Sequence, residues 1–220
     1  MQKNKVAIII PCFNERETIF SIYKDAKKYG KVLVIDDCST DGTSEILRKK
    51  KIKILKNNRN IGYEASIIKG MKHISKNWKN TSYIVTLDAD GELPTKSIPL
   101  LINKLIKKEL DIVIGSRNKT NRFTETILKF FFYLRYNIKD PISGLKVYRL
   151  KSLKKVINSV STKLFLVDIL IISIYRNFLV QSCEIEVKKR KGRAKVGSGI
   201  LVNIKIINII FKSFFLYKKS

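Results

Sequence analysis

Histidine is nearly absent from this chain: there is one among 220 residues. A Ser-His-Asp triad or a histidine-built metal centre therefore has almost no material. Cysteine is scarce as well. Cys12, Cys38 and Cys183 are far apart and form no CxxC pair. That excludes a disulfide framework or a zinc ribbon and leaves three reduced thiols as the expectation. No GxGxxG follows the first apolar run, and no GxxxxGK[ST] occurs anywhere. The dinucleotide-binding and P-loop readings both lose their signatures. The first apolar run, Val6–Ile10, is short and stops at Pro11 without a small-residue cleavage site, so a signal peptide is not expected. Acidic residues are few, 18 against 45 Lys and Arg, which leaves a net charge of +27.

What is present describes a folded chain. Apolar residues make up 45%, too many and too evenly spread for disorder. The length suits one compact domain with an appendage. Val6–Ile10 is a continuous β-branched run, fit for a strand buried on both faces. Val32–Ile35, Ile52–Leu55, Ser82–Leu87 and Asp111–Ile114 repeat that character. Between them lie helical patterns over Glu17–Tyr29, closed by Gly30, then a short helix opened by Asp41-Gly42-Thr43, then Tyr63–Ile74 and Lys96–Lys107. This alternation predicts an α/β fold: a mostly parallel open sheet with helices on both faces. Ligands of such sheets bind beyond the carboxyl ends of the strands.

Polar residues collect at those ends. Strand one runs into Pro11-Cys12-Phe13-Asn14-Glu15 and strand two into Asp36-Asp37-Cys38-Ser39-Thr40-Asp41-Gly42. Strand four ends in Asp88-Ala89-Asp90-Gly91-Glu92 and strand five in Gly115-Ser116-Arg117. Any one such loop is adequately explained by N-caps and turns. Four at one sheet edge are not. Asp88 and Asp90 flank one small residue directly after a buried strand. Two hard oxygen ligands this close suit Mg²⁺ or Mn²⁺, with water and phosphate oxygens completing the shell. An ion there would neutralise a diphosphate leaving group as its charge builds. Asp36 and Asp37 offer acceptors for a ribose or a base.

The second half is basic and partly aromatic. Gly144–Tyr148 reads as a strand, Leu150–Val160 and Leu164–Phe178 as helices, and Val180–Val187 as a strand. Ile127–Tyr136 combines Phe130, Phe131, Phe132 and Tyr133 with Lys129 and Arg135, a pattern that suits a helix lying in a membrane interface. Ile200–Tyr217 is apolar apart from one polar face carrying Lys205, Asn208 and Lys212. Its length is marginal for a span, and its lysines are costly at mid-bilayer. It is expected to lie in the interface, with Lys218 and Lys219 near anionic headgroups.

Four segments in order resemble the family-2, GT-A-type glycosyltransferases: Pro11–Glu15, Asp36–Thr43, Asn60-Ile61-Gly62 with Ala65 and Gly70, and Asp88–Asp90. Cys38 stands where the family pattern has glycine. Gly115–Arg117, Asp140-Pro-Ile-Ser-Gly-Leu145 and Gly192–Lys195 further resemble the dolichol-phosphate mannosyltransferase branch. The resemblance covers about residues 5–195. It implies a GT-A domain over 1–195 and an amphipathic membrane-interface helix over 196–220. It implies that Pro11, Phe13, Glu15, Ile35 and Asp37 line the nucleotide pocket. Asp88, Ala89 and Asp90, with Lys189, Arg190 and Lys195, would meet the donor diphosphate. Lys189 stands at the family's arginine position and Ala194 at its serine. Asp88, Asp90 and Glu92 would hold the metal, Mg²⁺ or Mn²⁺, and Glu92 replaces the branch's usual glutamine. Arg117, Arg122 and Ser143 would face the acceptor phosphate, with Asp90 and Arg117 at the catalytic centre.

The implied reaction is inverting transfer of a sugar from a nucleotide-sugar to a polyprenyl or dolichyl phosphate. A phosphate acceptor is already ionised at neutral pH and needs cations to seat it, whereas a hydroxyl acceptor needs a positioned base. GDP-mannose is the leading donor, with UDP-glucose next. The alternative within enzymes is a glycan hydroxyl acceptor, with Asp140 or Asp168 as base. The different-class alternative, a nucleic-acid-binding protein, draws on the charge of +27 and is opposed by the acidic sheet edge. The implied location is the cytoplasmic face of a membrane, peripheral or monotopic, with room for a separate membrane subunit.

Overall fold

The structure, a computed structural model, describes residues 2–118, 123–160 and 167–187. Arg122, Lys189, Arg190, Lys195 and the whole of 196–220 lie outside the described residues, as does the boundary at residue 195. The elements in order are β1 (Val6–Cys12), α1 (Ile19–Ala26), β2 (Lys31–Asp36), α2 (Thr43–Lys49), β3 (Ile54–Lys56), α3 (Tyr63–Asn77) and β4 (Tyr83–Thr86). Then come α4 (Ile98–Lys107), β5 (Ile112–Arg117), α5 (Phe123–Tyr136), β6 (Lys146–Arg149), α6 (Leu150–Val156), α7 (Val167–Tyr175) and β7 (Val180–Ile185).

The strands form one sheet in the order β3-β2-β1-β4-β6-β5-β7. Every pairing is parallel except those of β6, which runs antiparallel to both β4 and β5. The expected α/β open sheet with helices on both faces is therefore present. The continuous apolar run of β1 has a direct cause. Ala7 and Ile9 enter one core, with Ile67, Met71 and Ile74 of α3 and Leu128 and Phe132 of α5. Val6, Ile8 and Ile10 enter the other, with Ile19 of α1, Leu47 of α2 and Leu101 and Leu105 of α4. A strand covered on both faces has no side left for polar residues.

Two differences from the sequence reading bear on the site. First, β5 continues past Ile114 to Arg117, because β7 pairs with it along its whole length. Arg117 is thus held on a strand end rather than in a loop. Second, β6 sits between β4 and β5 with its direction reversed. The amino end of an antiparallel strand lies at the carboxyl ends of its neighbours. The turn before β6, residues 140–145, is thereby delivered to the edge where the acidic loops gather. An apolar run alone does not tell a strand which way to insert.

Candidate active site

The Asp88–Asp90 loop leaves β4 at the centre of the sheet. Leu87 N–H donates to the Ile9 carbonyl at 3.0 Å, so the loop starts from a fixed point. Asp88 Oδ1 accepts from the Tyr63 hydroxyl at 2.6 Å. Its carboxylate lies flat against Gly144: a Cβ there would sit 2.1 Å and 2.2 Å from its two oxygens. Gly144 is in turn fixed by its carbonyl, which accepts from Thr86 Oγ1 at 2.8 Å. Burial pushes the Asp88 pKa up to about 6, and the Asp90 charge adds to it. The Tyr63 hydroxyl, Arg117 and Lys146 pull in the other direction. A carboxylate disfavoured both by burial and by a neighbouring carboxylate leaves a demand for a cation. Asp90 Oδ1 accepts from the Glu92 N–H at 3.0 Å across Gly91, whose φ of 77° a side chain would resist.

Arg117 faces this loop from β5. Its Nη1 lies 3.7 Å from Glu92 Oε1. Behind it stands Asp140, which is fully buried. Asp140 Oδ2 accepts from the Arg117 backbone N–H at 3.0 Å and from its Nε at 2.8 Å, and Oδ1 accepts from Nη2 at 3.3 Å. Lys129 of α5 adds a contact to the same Oδ2 at 3.4 Å and donates to the Arg117 carbonyl at 3.0 Å. A residue that reads as a pre-proline turn former, or as a candidate base, is thus a brace for the arginine. Ser143 is buried in the same turn, its hydroxyl accepting from the Leu145 N–H at 3.3 Å.

The ends of β1 and β2 form the adjoining wall. Asn14, at a φ of 56°, links the two loops. Its N–H donates to Ser39 Oγ at 3.0 Å, and its side-chain oxygen accepts from the Thr40 N–H at 2.8 Å. Glu15 N–H donates to Thr43 Oγ1 at 2.9 Å. Asp37 organises the next loop: its carboxylate accepts from Asn57 Nδ2 at 2.8 Å and from the N–H groups of Ile61 at 2.9 Å and Gly62 at 2.8 Å. Phe13 is exposed, at 39%, with Pro11 buried beside it. Ile35 is wholly buried against Gly70, whose missing Cβ would lie 2.4 Å from the Ile35 Cδ1.

Asp88, Asp90, Glu92 and Arg117 therefore share one cluster, with Ser143 in the turn that touches it. Phe13, Glu15 and Asp37 stand on the neighbouring strand ends. Tyr63, Lys129 and Lys146 were not foreseen. Tyr63 opens a helix as an ordinary apolar-face residue would. Lys146 looks like one more surface lysine, yet it is 2% exposed on the interior strand β6 and donates to the Ser143 carbonyl. Burial pushes its pKa down to about 8 against the pull of Asp140 and Asp88. Among the described residues no group of three acidic, His or Cys side chains gathers as a ready-made metal shell. Asp88 and Asp90 fit a divalent ion whose remaining ligands come from phosphate and water.

This arrangement is that of the GT-A sheet. Glucosyl-3-phosphoglycerate synthase from Mycobacterium tuberculosis superposes on it with a TM-score of 0.73 at 16% identity, over 95% of this chain and 79% of that one. The family follows from the sequence itself: residues 7–170 match the model of glycosyl transferase family 2, and the chain belongs to that family. Dolichol-phosphate mannosyltransferase from Pyrococcus furiosus is 30% identical over 194 residues, covering 76% of this chain and 52% of that protein. The match thus spans about half the length of that relative. An uncharacterized protein of Methanocaldococcus jannaschii is 28% identical over 176 residues, 74% of this chain and 72% of that one.

Proposed function

We propose that this chain transfers a sugar from a nucleotide-sugar, GDP-mannose first among donors, to the phosphate of a polyprenyl or dolichyl lipid, with inversion at the anomeric carbon. The observation that carries this reading is the arginine braced by a buried carboxylate 3.7 Å from Glu92 of the acidic loop. A cation set rigidly beside a donor-diphosphate loop is what an anionic acceptor needs. Similarity to the Pyrococcus dolichol-phosphate enzyme points the same way.

Asp88 and Asp90, with Glu92 beside them, would hold Mg²⁺ or Mn²⁺. The ion would supply neutralising charge for the departing nucleoside diphosphate. Phe13 and Glu15 would line the nucleotide side, with Asp37 behind them holding the Asn57–Gly62 loop, and Pro11 and Ile35 packed beneath. Ala89, whose side chain is buried in the core beneath the acidic loop, would offer only its backbone to the diphosphate. Lys189, Arg190 and Lys195, which lie outside the described residues, would meet that diphosphate. Arg117, with Ser143 and Arg122, would seat the acceptor phosphate for in-line attack. That phosphate is already ionised, so no residue has to remove a proton. A hydroxyl acceptor is disfavoured by Asp140, whose oxygens are committed to Arg117 and Lys129, and Asp168 is buried on the first turn of α7.

The acceptor brings a membrane with it. Phe130 and Leu134 on α5 are 62% and 67% exposed, with Ile127 and Tyr133 exposed beside them. That face is suited to the lipid headgroup boundary. Among the described residues no helix is long and apolar enough to cross a membrane. In this reading the enzyme would work at the cytoplasmic surface of a bilayer, with 196–220 as a second interfacial segment and room for a separate membrane subunit.

The test uses the full chain in detergent with polyprenyl phosphate, Mg²⁺ or Mn²⁺, and labelled GDP-mannose or UDP-glucose in parallel. Chelator-sensitive label in the organic phase is the expected result, and the productive tube names the donor. Asp90→Ala is expected to abolish transfer while the circular dichroism and Tm stay close to the parent. Turnover retained by that variant would remove the metal role. Transfer to a glycan with none to lipid phosphate would overturn the acceptor assignment.

A further inference from the structure

Helix α5 has two working sides. Its outer side presents Ile127, Phe130, Tyr133 and Leu134 to solvent. Its inner side buries Leu128 and Phe132 completely against the core shared with α3 and α7. Lys129 lies on the inner side with its side chain 12% exposed. Its ammonium donates to the Arg117 carbonyl at 3.0 Å and lies 3.4 Å from Asp140 Oδ2. That same oxygen takes the Arg117 N–H and Nε. One lysine therefore touches both the backbone of the arginine and the carboxylate that aims its guanidinium. A shift of α5 relative to β5 must carry Arg117 with it or break these contacts. Packed interiors respond to such shifts by moving between discrete arrangements rather than stretching.

We propose that Lys129 is a positioning residue that couples the seating of α5 on a lipid bilayer to the placement of Arg117 for the acceptor phosphate. The inference rests on the transfer reaction proposed above and deepens it. The outer face meets the bilayer surface, because the acceptor under that reading is a membrane lipid and the face pairs aliphatic with aromatic side chains beside Arg135. Contact with lipid fixes α5. Lys129 then fixes the arginine, and the acceptor side of the site is completed only where acceptor is found.

The experiment separates chemistry from seating. A short-chain, water-soluble prenyl phosphate serves as acceptor, and neutral phosphatidylcholine vesicles that contain no acceptor are added or withheld. Wild type is expected to gain about fivefold in kcat/KM for the acceptor when vesicles are added, the low end of ordinary coupling. Lys129→Met is expected to lose that gain while still floating with vesicles and keeping its donor KM. Lys129→Arg, which restores a cation and donor, is expected to recover the gain. Arg117 remains as a partner for Asp140 in the Met variant, so the buried carboxylate is not left bare. Equal stimulation of wild type and Lys129→Met overturns the proposal. So does a Met variant whose Tm and donor KM collapse together, since the lysine would then be structural. Transfer by wild type without any vesicle effect overturns the coupling alone. Absence of transfer to every phosphate acceptor overturns the parent reading and the coupling with it.

Discussion

A missing methyl group decides much of the site's geometry. A Cβ on residue 144 would sit 2.1 Å from an Asp88 oxygen, closer than non-bonded atoms approach. Gly144→Ala must therefore displace the carboxylate or else shift the residue 144 backbone at the expense of its bond from the Thr86 hydroxyl. Displacing a reacting group by about 1 Å costs on the order of 100-fold in rate. That is the loss expected in kcat/KM for the donor, read alongside a thermal melt. A variant with near-parental kcat/KM would show that Asp88 need not occupy this place. Lys146 makes a second prediction at this scale. Its pKa falls from 10.5 to about 8 on folding because burial disfavours the ammonium. Between those values the unfolded chain holds a proton that the native state has shed, so stability rises with pH. Urea midpoints of wild type should climb from pH 8 to pH 10.5 relative to those of Lys146→Met. Parallel curves for the two proteins would mean that Lys146 is charged and solvated after all.

Elements that repeat a simple period were readable before the structure, and those whose place depends on a partner were not. The five strands of the first half and the helices between them follow from apolar runs and caps. Their ends moved for local reasons. The helix expected over Glu17–Tyr29 is regular only from Ile19 to Ala26, because Lys28 and Tyr29 bond to carbonyls three residues back and tighten the tail. Gly30 does close that segment, but through a close approach: a Cβ there would meet the Val6 carbonyl at 2.6 Å. The acidic loops were legible because the sheet rule assigns ligands to strand ends. The braces were not. Asp140, Lys129 and Lys146 meet the site only after β6 inserts backwards between β4 and β5, and no local pattern encodes that. For α5 the apolar and aromatic pattern was visible, and the structure divides it into a buried and an exposed side. Phe130→Ser with Leu134→Ser alters only exposed positions, so the Tm should hold within a few degrees. Flotation with neutral phosphatidylcholine vesicles should fall on the order of 100-fold, since the two side chains together forfeit about 3 kcal/mol of burial. Unchanged flotation would remove α5 from the lipid contact.

The whole molecule carries its charge in more than one place. Arg48, Lys51, Lys53 and Lys56 line a groove between α2 and the edge strand β3, and Lys24, Lys27 and Lys50 line another beside Phe20 and Tyr23. These belong to the helix layer of α1 and α2, whereas α5 packs on the opposite face of the sheet. Under the proposed function, attraction to an anionic membrane would therefore have two physically separable parts. The long-range part acts through a net charge of +27 and fades as the Debye length shrinks, from about 8 Å at physiological salt to about 3 Å at 1 M. The short-range part is apolar insertion, which salt does not weaken. Binding to vesicles containing phosphatidylglycerol is thus expected to drop steeply with salt and then level off at a residue of bound protein. That plateau should equal the binding to neutral vesicles and should vanish in the Phe130→Ser, Leu134→Ser variant, while the salt-sensitive portion survives. Complete release of wild type at 1 M salt would mean that charge alone holds the protein on the vesicle. The exposed side of α5 would then need another explanation.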